Sequence, residues 1–281
     1  NTISSTVGMG NIAGVAIALC VGGPGAIFWM WVSALLGMAT KFFEGTLAVM
    51  YKGKDDKGVA QGGPMFVLTE GIGRKMKPLA VMFAFCALFS GLPVMQANQL
   101  SESLYSVILE PLGVPESRWV FLVIGLVIGC IVSLVIFGGI KRISQVSSKI
   151  VPFMVGFYFL MVLGIMIVYH DRLPSVFEAI FEGAFCWKAG FGAFTAVALT
   201  GARRAMFVNE AGVGTAGMMH GASMNAEPVR EGLVAMLGPA IDSGLVCTLS
   251  AIPMIMAGLY STDSIKGLSI ALNTYDTLIP F

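Results

Sequence analysis

Two glycine-rich stretches decide the fold of this chain. One, at residues 6–14, reads Thr6-Val7-Gly8-Met9-Gly10-Asn11-Ile12-Ala13-Gly14, and the other, at residues 209–217, reads Asn209-Glu210-Ala211-Gly212-Val213-Gly214-Thr215-Ala216-Gly217. Both place Gly-x-Gly shortly before Ala-Gly. Glycine destabilises a helix interior by about 1 kcal/mol relative to alanine. The two stretches therefore predict two helices that are interrupted at related positions.

The composition around these stretches is that of a membrane protein. Of the 281 residues, 56% are hydrophobic and 12% are charged, whereas soluble domains carry about 25% charged residues. Lys+Arg 17 against Asp+Glu 16 leaves no basic field for nucleic acid. This composition excludes a soluble enzyme and a disordered protein, and no nucleophile–base set or phosphate loop is present. We interpret the chain as an all-α, polytopic membrane protein that is not an enzyme.

Uncharged runs long enough for membrane helices recur along the chain, since a span needs about 20 apolar residues. They cover residues 1–40, 78–101, 119–140, 150–169, 189–202 and 243–262. The first run is long enough for two spans, which we expect to separate at Gly22-Gly23-Pro24-Gly25. The second span should continue to about Tyr51, and the last should begin near Glu231. The sequence thus predicts about seven spans, of which the first and the sixth are discontinuous.

The distribution of Lys and Arg predicts the orientation of these spans. The loop after the second span carries six basic residues and should be cytoplasmic, and later loops alternate without conflict, which makes residues 220–230 cytoplasmic as well. Spans two to five lie between the two breaks, so the repeat unit is five spans, and an odd unit makes the second copy inverted. We expect residues 1–173 to form the first repeat and residues 174–281 to begin the second. Because the chain starts without Met and ends in a loop-like stretch, we expect it to be truncated.

Interrupted helices at matching places in inverted halves indicate the binding site of a secondary transporter. Half-helix N-termini then face an anionic group, and freed carbonyls hold a cation. The alternative is that the glycines serve close helix packing.

Several motifs resemble those of the alanine or glycine:cation symporters. They are Gly10-Asn11-Ile12-Ala13-Gly14-Val15-Ala16, Gly22-Gly23-Pro24-Gly25-Ala26, Gly37-Met38-Ala39-Thr40-Lys41-Phe42, Gly62-Gly63-Pro64-Met65 and Phe207-Val208-Asn209-Glu210-Ala211-Gly212. The resemblance implies a LeuT-type five-plus-five inverted-repeat fold in a bacterial or archaeal cell membrane. It also implies sodium-coupled uptake of a small neutral amino acid, alanine or glycine, with Na+ as coupling ion and no other cofactor. The chain departs from the family at Met9, where Thr is usual, and at Val208, where Ser is usual.

The resemblance also implies a set of site residues. Similarity of the first motif to neurotransmitter:sodium symporters assigns the substrate carboxylate to the N–H groups of Met9 and Gly10. The implied substrate site comprises Thr6, Met9, Gly10, Gln96, Asn98, Asn209 and Gly212. The implied sodium ligands are Ser4, Thr6, Val7, Asn11 and Asp242.

Ionisable residues inside the spans are functional candidates because their burial in lipid is costly. Asp242 is expected to hold a cation or a proton, with a structural contact to Ser243 or Thr248 as the alternative. Lys41 and Glu44 are three residues apart on one helix face, which predicts an internal ion pair. Arg204 and Glu210 are a second candidate pair for structure or gating.

These observations predict sodium-driven symport of a small neutral amino acid by alternating access. A proton-coupled symporter of the same fold and, with less support, a passive channel are the alternatives.

Overall fold

The computed structural model describes residues 8, 10–54, 58, 60–90, 94–185, 191–223, 225, 227–261 and 267–279, and this part of the chain is mainly helical. The longer helices are α1 (Gly10–Gly22), α2 (Gly25–Met50), α3 (Lys77–Ser90), α4 (Val94–Leu104), α5 (Arg118–Ile136), α6 (Gly139–Val168), α7 (Leu173–Ala184), α8 (Phe191–Asn209), α9 (Thr215–Gly221), α10 (Pro228–Ala235), α11 (Cys247–Ala257) and α12 (Leu268–Leu278).

Short segments connect these helices. They comprise a one-turn helix Pro64–Phe66, 3-10 turns at Arg74–Met76, His170–Arg172 and Leu259–Ser261, π-helical segments at Val67–Ile72, Tyr105–Leu109 and Ala240–Val246, and the turn Leu237–Pro239. The strands β1 (Gly53–Lys54) and β2 (Ala60–Gln61) form an antiparallel hairpin in which Gly53 pairs with Gln61.

Three boundaries predicted from sequence are confirmed. The helix α1 ends at Gly22 and α2 begins at Gly25, with Gly23 in the left-handed conformation (φ 65°) that glycine adopts without strain. The helix α2 ends at Met50, one residue before Tyr51, and α10 begins at Pro228, close to Glu231.

Four helical segments are long and apolar enough to cross a membrane: Gly25–Met50, Arg118–Ile136, Gln145–Val168 and Pro228–Ala257. The other predicted spans are shorter or divided. The first begins in the described structure at Gly10, the third comprises α3 and α4 with residues 91–93 outside the description, and the sixth comprises α8 and α9. An α-helical architecture with membrane-length helices is therefore confirmed, while the number of seven spans stays a prediction.

The helix α2 lies at the centre of the packing and contacts α7, α8, α9 and α10. Glycines allow these close approaches: the backbones of Gly25 and Gly183 are in contact, and Gly201 packs directly on Ala26. Small residues at a helix interface let the backbones approach closely. Glycines outside the two glycine-rich stretches thus serve close helix packing.

The helices α1, α11 and α12 form the principal apolar core with buried Val15, Leu19, Met254 and Ile270. By contrast, α5 has no fully buried side chain and exposes many large apolar residues. A helix that is apolar and exposed in this way suits contact with lipid or with other membrane helices.

Candidate functional site: the interrupted sixth helix

The sixth helical segment is broken between α8 and α9. The helix α8 ends at Asn209, α9 begins at Thr215, and between them Glu210, Gly212 and Gly214 adopt φ angles of 53°, 87° and 85°. Positive φ is uncommon for a residue other than glycine, and Glu210 is the one such residue in the described part of the chain. The predicted discontinuity of this segment is confirmed.

The carboxylate of Glu44 on α2 binds the backbone of the break. The N–H of Gly212 donates to Glu44 Oε1 at 2.9 Å, and the backbone N–H of Gly214 also acts electrostatically on this carboxylate. Backbone N–H groups in a run of left-handed residues form an anion-binding concavity. In this conformation a carboxylate of the protein itself occupies that concavity.

Asn209 fixes the first half of the break. Its side chain is 1% exposed. Its Oδ1 accepts a hydrogen bond from the N–H of Ala211 at 3.0 Å, and its Nδ2 donates to Ser243 Oγ at 3.4 Å. Asn209 therefore joins the end of α8 to the π-helical segment Ala240–Val246.

Glu210 stabilises the second half of the break. The hydroxyl of Thr215 donates to Glu210 Oε2 at 2.7 Å, at the first residue of α9. This contact and the hydrogen bonds made by Asn209 hold the residues at the two sides of the break.

The two predicted ion pairs are not direct contacts in the described structure. Ion pairs of 4.0 Å or less among the described residues join His170 to Asp171 and His220 to Glu231, and neither predicted pair is among them. The reason is that Glu44 and Glu210 bind backbone N–H and hydroxyl donors instead. Lys41 is buried and interacts electrostatically with Glu210, Glu44 and Asp242, while Arg204 on α8 is partly exposed.

Asp242 lies in the π-helical segment Ala240–Val246 and is 1% exposed. Its carboxylate interacts electrostatically with Lys41 and with Cys247. A π-helical turn inside an α-helix is frequent at functional sites. In the described residues, no three His, Cys, Asp or Glu side chains are grouped to hold a metal ion. A monovalent cation at Asp242 would therefore need carbonyl, amide or hydroxyl oxygens as its other ligands.

The first glycine-rich stretch is only partly described, because Ser4, Thr6, Val7 and Met9 lie outside the described residues. From Gly10 to Gly22 α1 is a continuous helix, and the predicted discontinuity of the first span stays a prediction. Asn11 is 2% exposed, and its side-chain Nδ2 has no hydrogen-bond partner among the described residues. The helix α1 packs on α8 and α11, with Gly14 facing Val208. The structure thus brings the first segment alongside the interrupted one.

Gln96 and Asn98 are exposed on α4, which packs on α5 and α12. The same helix buries Gln99 and Ser101 instead. Neither predicted substrate ligand on α4 is buried against the break in the described structure.

Sequence reasoning missed the contact between Glu44 and the break. The signal was present, since an acid inside a span requires a partner and an interrupted helix has unpaired N–H groups. It also missed Gly37 on α2, where an added Cβ would lie 3.2 Å from Ala211 Cβ and 3.3 Å from Asn209 Nδ2.

These features define an α-helical membrane protein whose sixth helical segment is interrupted around a buried charge cluster. The chain matches the profile of the sodium:alanine symporter family over residues 1–280, and it belongs to that family.

Similar curated proteins are transporters. The chain is 39% identical to sodium/alanine symporter AgcS of Methanococcus maripaludis, over 99% of this chain and 61% of the relative. It is 34% identical to amino-acid carrier protein AlsT of Bacillus subtilis, over 96% of this chain and 57% of the relative. It is 33% identical to a Bacillus subtilis protein named "Probable sodium/glutamine symporter GlnT", over 96% of this chain and 55% of the relative. The chain therefore spans little more than half the length of these relatives.

Proposed function

We propose that the full-length protein is a secondary active transporter that carries a small neutral amino acid into the cell together with Na+. It works by alternating access on a LeuT-type fold in a multi-pass arrangement in the cell membrane. Residues 1–173 form the first five-span repeat, and residues 174–281 begin the inverted second repeat. Na+ is the coupling ion, and the protein needs no other cofactor.

The observation that carries this proposal is the interrupted sixth helix with the Glu44 carboxylate on its N–H groups. Because Glu44 already occupies the backbone N–H groups of the break, the substrate carboxylate needs other N–H donors. The N–H groups of Met9 and Gly10 supply it, and Asn209 and Gly212 line the opposite wall. Adjoining substrate and cation sites would be reciprocally coupled.

Sodium is assigned to oxygen ligands between the two segments. Asn11 and Asp242 are both buried, on elements that pack against each other. Amide and carboxylate oxygens suit a hard cation, and carbonyls of Ser4 and Val7 with the hydroxyl of Thr6 complete the proposed ligands. Lys41 offsets part of the negative charge of Glu44, Glu210 and Asp242.

The proposed substrate is alanine, with glycine as a close competitor. One relative is named a sodium/alanine symporter, and another is named for glutamine. Met9 is longer than the Thr usual at this position of the family, and this length favours a small substrate.

The test is uptake of radiolabelled alanine by the purified full-length protein in proteoliposomes. We expect saturable, concentrative uptake under an inward sodium gradient, loss of uptake when choline replaces sodium, and competition by glycine. Asn11→Ala should raise the sodium concentration for half-maximal uptake, whereas the matched control Asn273→Ala, at an exposed position of α12, should not. Uptake that does not need sodium would contradict the coupling ion, and non-saturable flux without accumulation would favour a channel.

The charge cluster favours proton coupling as the second candidate. Three carboxylates, on Glu44, Glu210 and Asp242, surround the single amine of Lys41. A proton taken up by one of them would reduce this excess of negative charge. Substrate-linked proton entry in sodium-free buffer would favour this candidate over sodium symport.

A further inference from the structure

A buried His–Glu pair lies at the far end of the interrupted helix from the break. His220 is the penultimate residue of α9, and Glu231 lies on α10; their side chains are 6% and 11% exposed. His220 Nδ1 and Glu231 Oε1 are 2.7 Å apart. An ionised carboxylate accepts only, so Nδ1–H of the imidazole donates.

The pair continues into a hydrogen-bonded chain that reaches α2. The side chain of Asn225 donates from Nδ2 to Glu231 Oε2 at 3.4 Å, and the ammonium of Lys52 donates to the backbone carbonyl of Asn225 at 2.8 Å. Lys52 follows the end of α2. We call these four residues, His220, Asn225, Glu231 and Lys52, the clasp. The clasp joins α9, the loop after it, α10 and the end of α2.

The helix that the clasp holds has little stability of its own. The helix α9 has seven residues, and helices shorter than about 12 residues are marginal in water without tertiary contacts. It follows an unwound segment, so no continuous helix couples it to α8. Its contacts with α2 and with Gly62 are close and uncharged: a Cβ added at Gly217 would lie 3.8 Å from Ala48 Cβ, and Gly221 packs directly on Gly62.

We propose that the clasp holds α9 closed against α2, and that its release parts the two helices on the side where residues 220–230 lie. The basic loops predict that this side is cytoplasmic. A charge-assisted hydrogen bond is roughly twice as strong as a neutral one, so making or breaking it changes how firmly α9 is held. The role of this opening as a step of transport rests on the proposed function. The holding of α9 by the clasp does not depend on that function.

Labelling of a buried thiol measures this opening. Ala48 is buried on α2 beside Gly217, so we place Ala48→Cys in the full-length protein with its native cysteines replaced by alanine. The rate of maleimide labelling is measured in detergent without sodium or substrate. Glu231→Gln removes the carboxylate charge with little change of size, and His220→Gln separately removes the imidazole donor. Each should speed labelling about tenfold, since a hydrogen bond to a charged group is stronger than a neutral one.

Two controls separate release of the clasp from general loosening. Asp171→Asn makes the same change of charge in the exposed His170–Asp171 pair, whose side chains are 70% and 88% exposed, and should leave labelling at Ala48→Cys unchanged. Ala13→Cys reports on the fully buried core of α1 and should label slowly in every variant.

Faster labelling at Ala48→Cys alone supports the proposal. Unchanged labelling there, or equal acceleration at both reporter positions, overturns it. If Glu231→Gln does not yield folded protein, the same criteria apply to His220→Gln. Since labelling needs neither sodium nor amino acid, absence of transport in the unmodified protein would overturn the proposed function and leave the clasp to be judged by labelling.

Discussion

The carboxylate of Glu44 on α2 accepts a hydrogen bond of 2.9 Å from the backbone N–H of Gly212, which is 168 positions further along the chain. This bond ties the central helix of the structure to the break in the sixth helical segment. A movement of α2 relative to α8 and α9 must therefore either carry the break with it or release its N–H groups.

Replacing Glu44 should destabilise the conformation of the break between α8 and α9. Glu44→Ala leaves the exposed N–H of Gly212 without its acceptor, which should cost about 0.5–1.5 kcal/mol of stability, and it should abolish transport. Glu44→Gln keeps a neutral acceptor, so the loss of stability and of transport should be smaller. Thermal unfolding and alanine uptake of the full-length protein measure the two effects. Glu116→Ala, which removes an exposed carboxylate, is the control, and equal behaviour of Glu116→Ala and Glu44→Ala would contradict the assignment.

Gly37 should tolerate no branched side chain. An added Cβ would lie 3.2 Å from Ala211 Cβ and 3.3 Å from Asn209 Nδ2, so Gly37→Val must displace the break. We expect loss of most uptake, with a stability cost of about 1–3 kcal/mol from overpacking. Gly156→Val on α6, where no heavy atom lies within 4 Å of an added Cβ, should keep most activity. Full uptake by Gly37→Val would show that the break does not need this close contact.

Local sequence signals predicted the parts of the fold that depend on neighbouring residues. Gly22-Gly23-Pro24-Gly25 predicted the turn between α1 and α2, because glycine permits the left-handed conformation and proline begins a helix. The spacing of Gly212 and Gly214 predicted the break after Asn209 for the same reason. The hairpin Gly53–Lys54 with Ala60–Gln61 was not predicted, since two-residue strands leave no periodic pattern.

Partners distant in sequence could not be predicted in the same way. Lys41 and Glu44 are correctly spaced for an ion pair on one helix face, yet the carboxylate binds Gly212 in the break between α8 and α9. Spacing along α2 contains no information about which neighbouring helix offers unpaired donors. The same limit applies to His220 and Glu231, whose pairing depends on how α9 and α10 pack. Similarly, the polar residues of α4 could be recognised, but not that Gln99 is buried while Gln96 and Asn98 are exposed.

Met9 should influence the size of the accepted substrate. This residue lies outside the described structure, and the prediction rests on its place beside Gly10, where the family usually has Thr. Met9→Thr shortens the side chain and adds a hydroxyl, so larger neutral amino acids should compete better. We expect glutamine to inhibit alanine uptake at least several-fold more strongly in Met9→Thr. Met50→Thr, at an exposed position at the end of α2, serves as the control, and an unchanged order of competitors would remove Met9 from the substrate site.

Asp242 should determine how uptake depends on the coupling ion. It is buried beside Ser243 and acts electrostatically on Lys41, and Asp242→Asn removes its negative charge with little change of size. If its carboxylate binds Na+, the sodium concentration for half-maximal uptake should rise about tenfold, which corresponds to about 1.4 kcal/mol. Initial rates of alanine uptake at varied sodium concentration provide the measurement.

The control for this variant is Asp276→Asn, which makes the same replacement at an exposed position of α12 and should leave the sodium dependence unchanged. Sodium dependence that stays unchanged in Asp242→Asn would exclude a sodium-binding role for this carboxylate. Loss of substrate-linked proton entry in the same variant would instead assign a proton to it. In that case protonation balances the excess of carboxylates over the amine of Lys41. The coupling ion of the proposed function would then be the proton and not Na+.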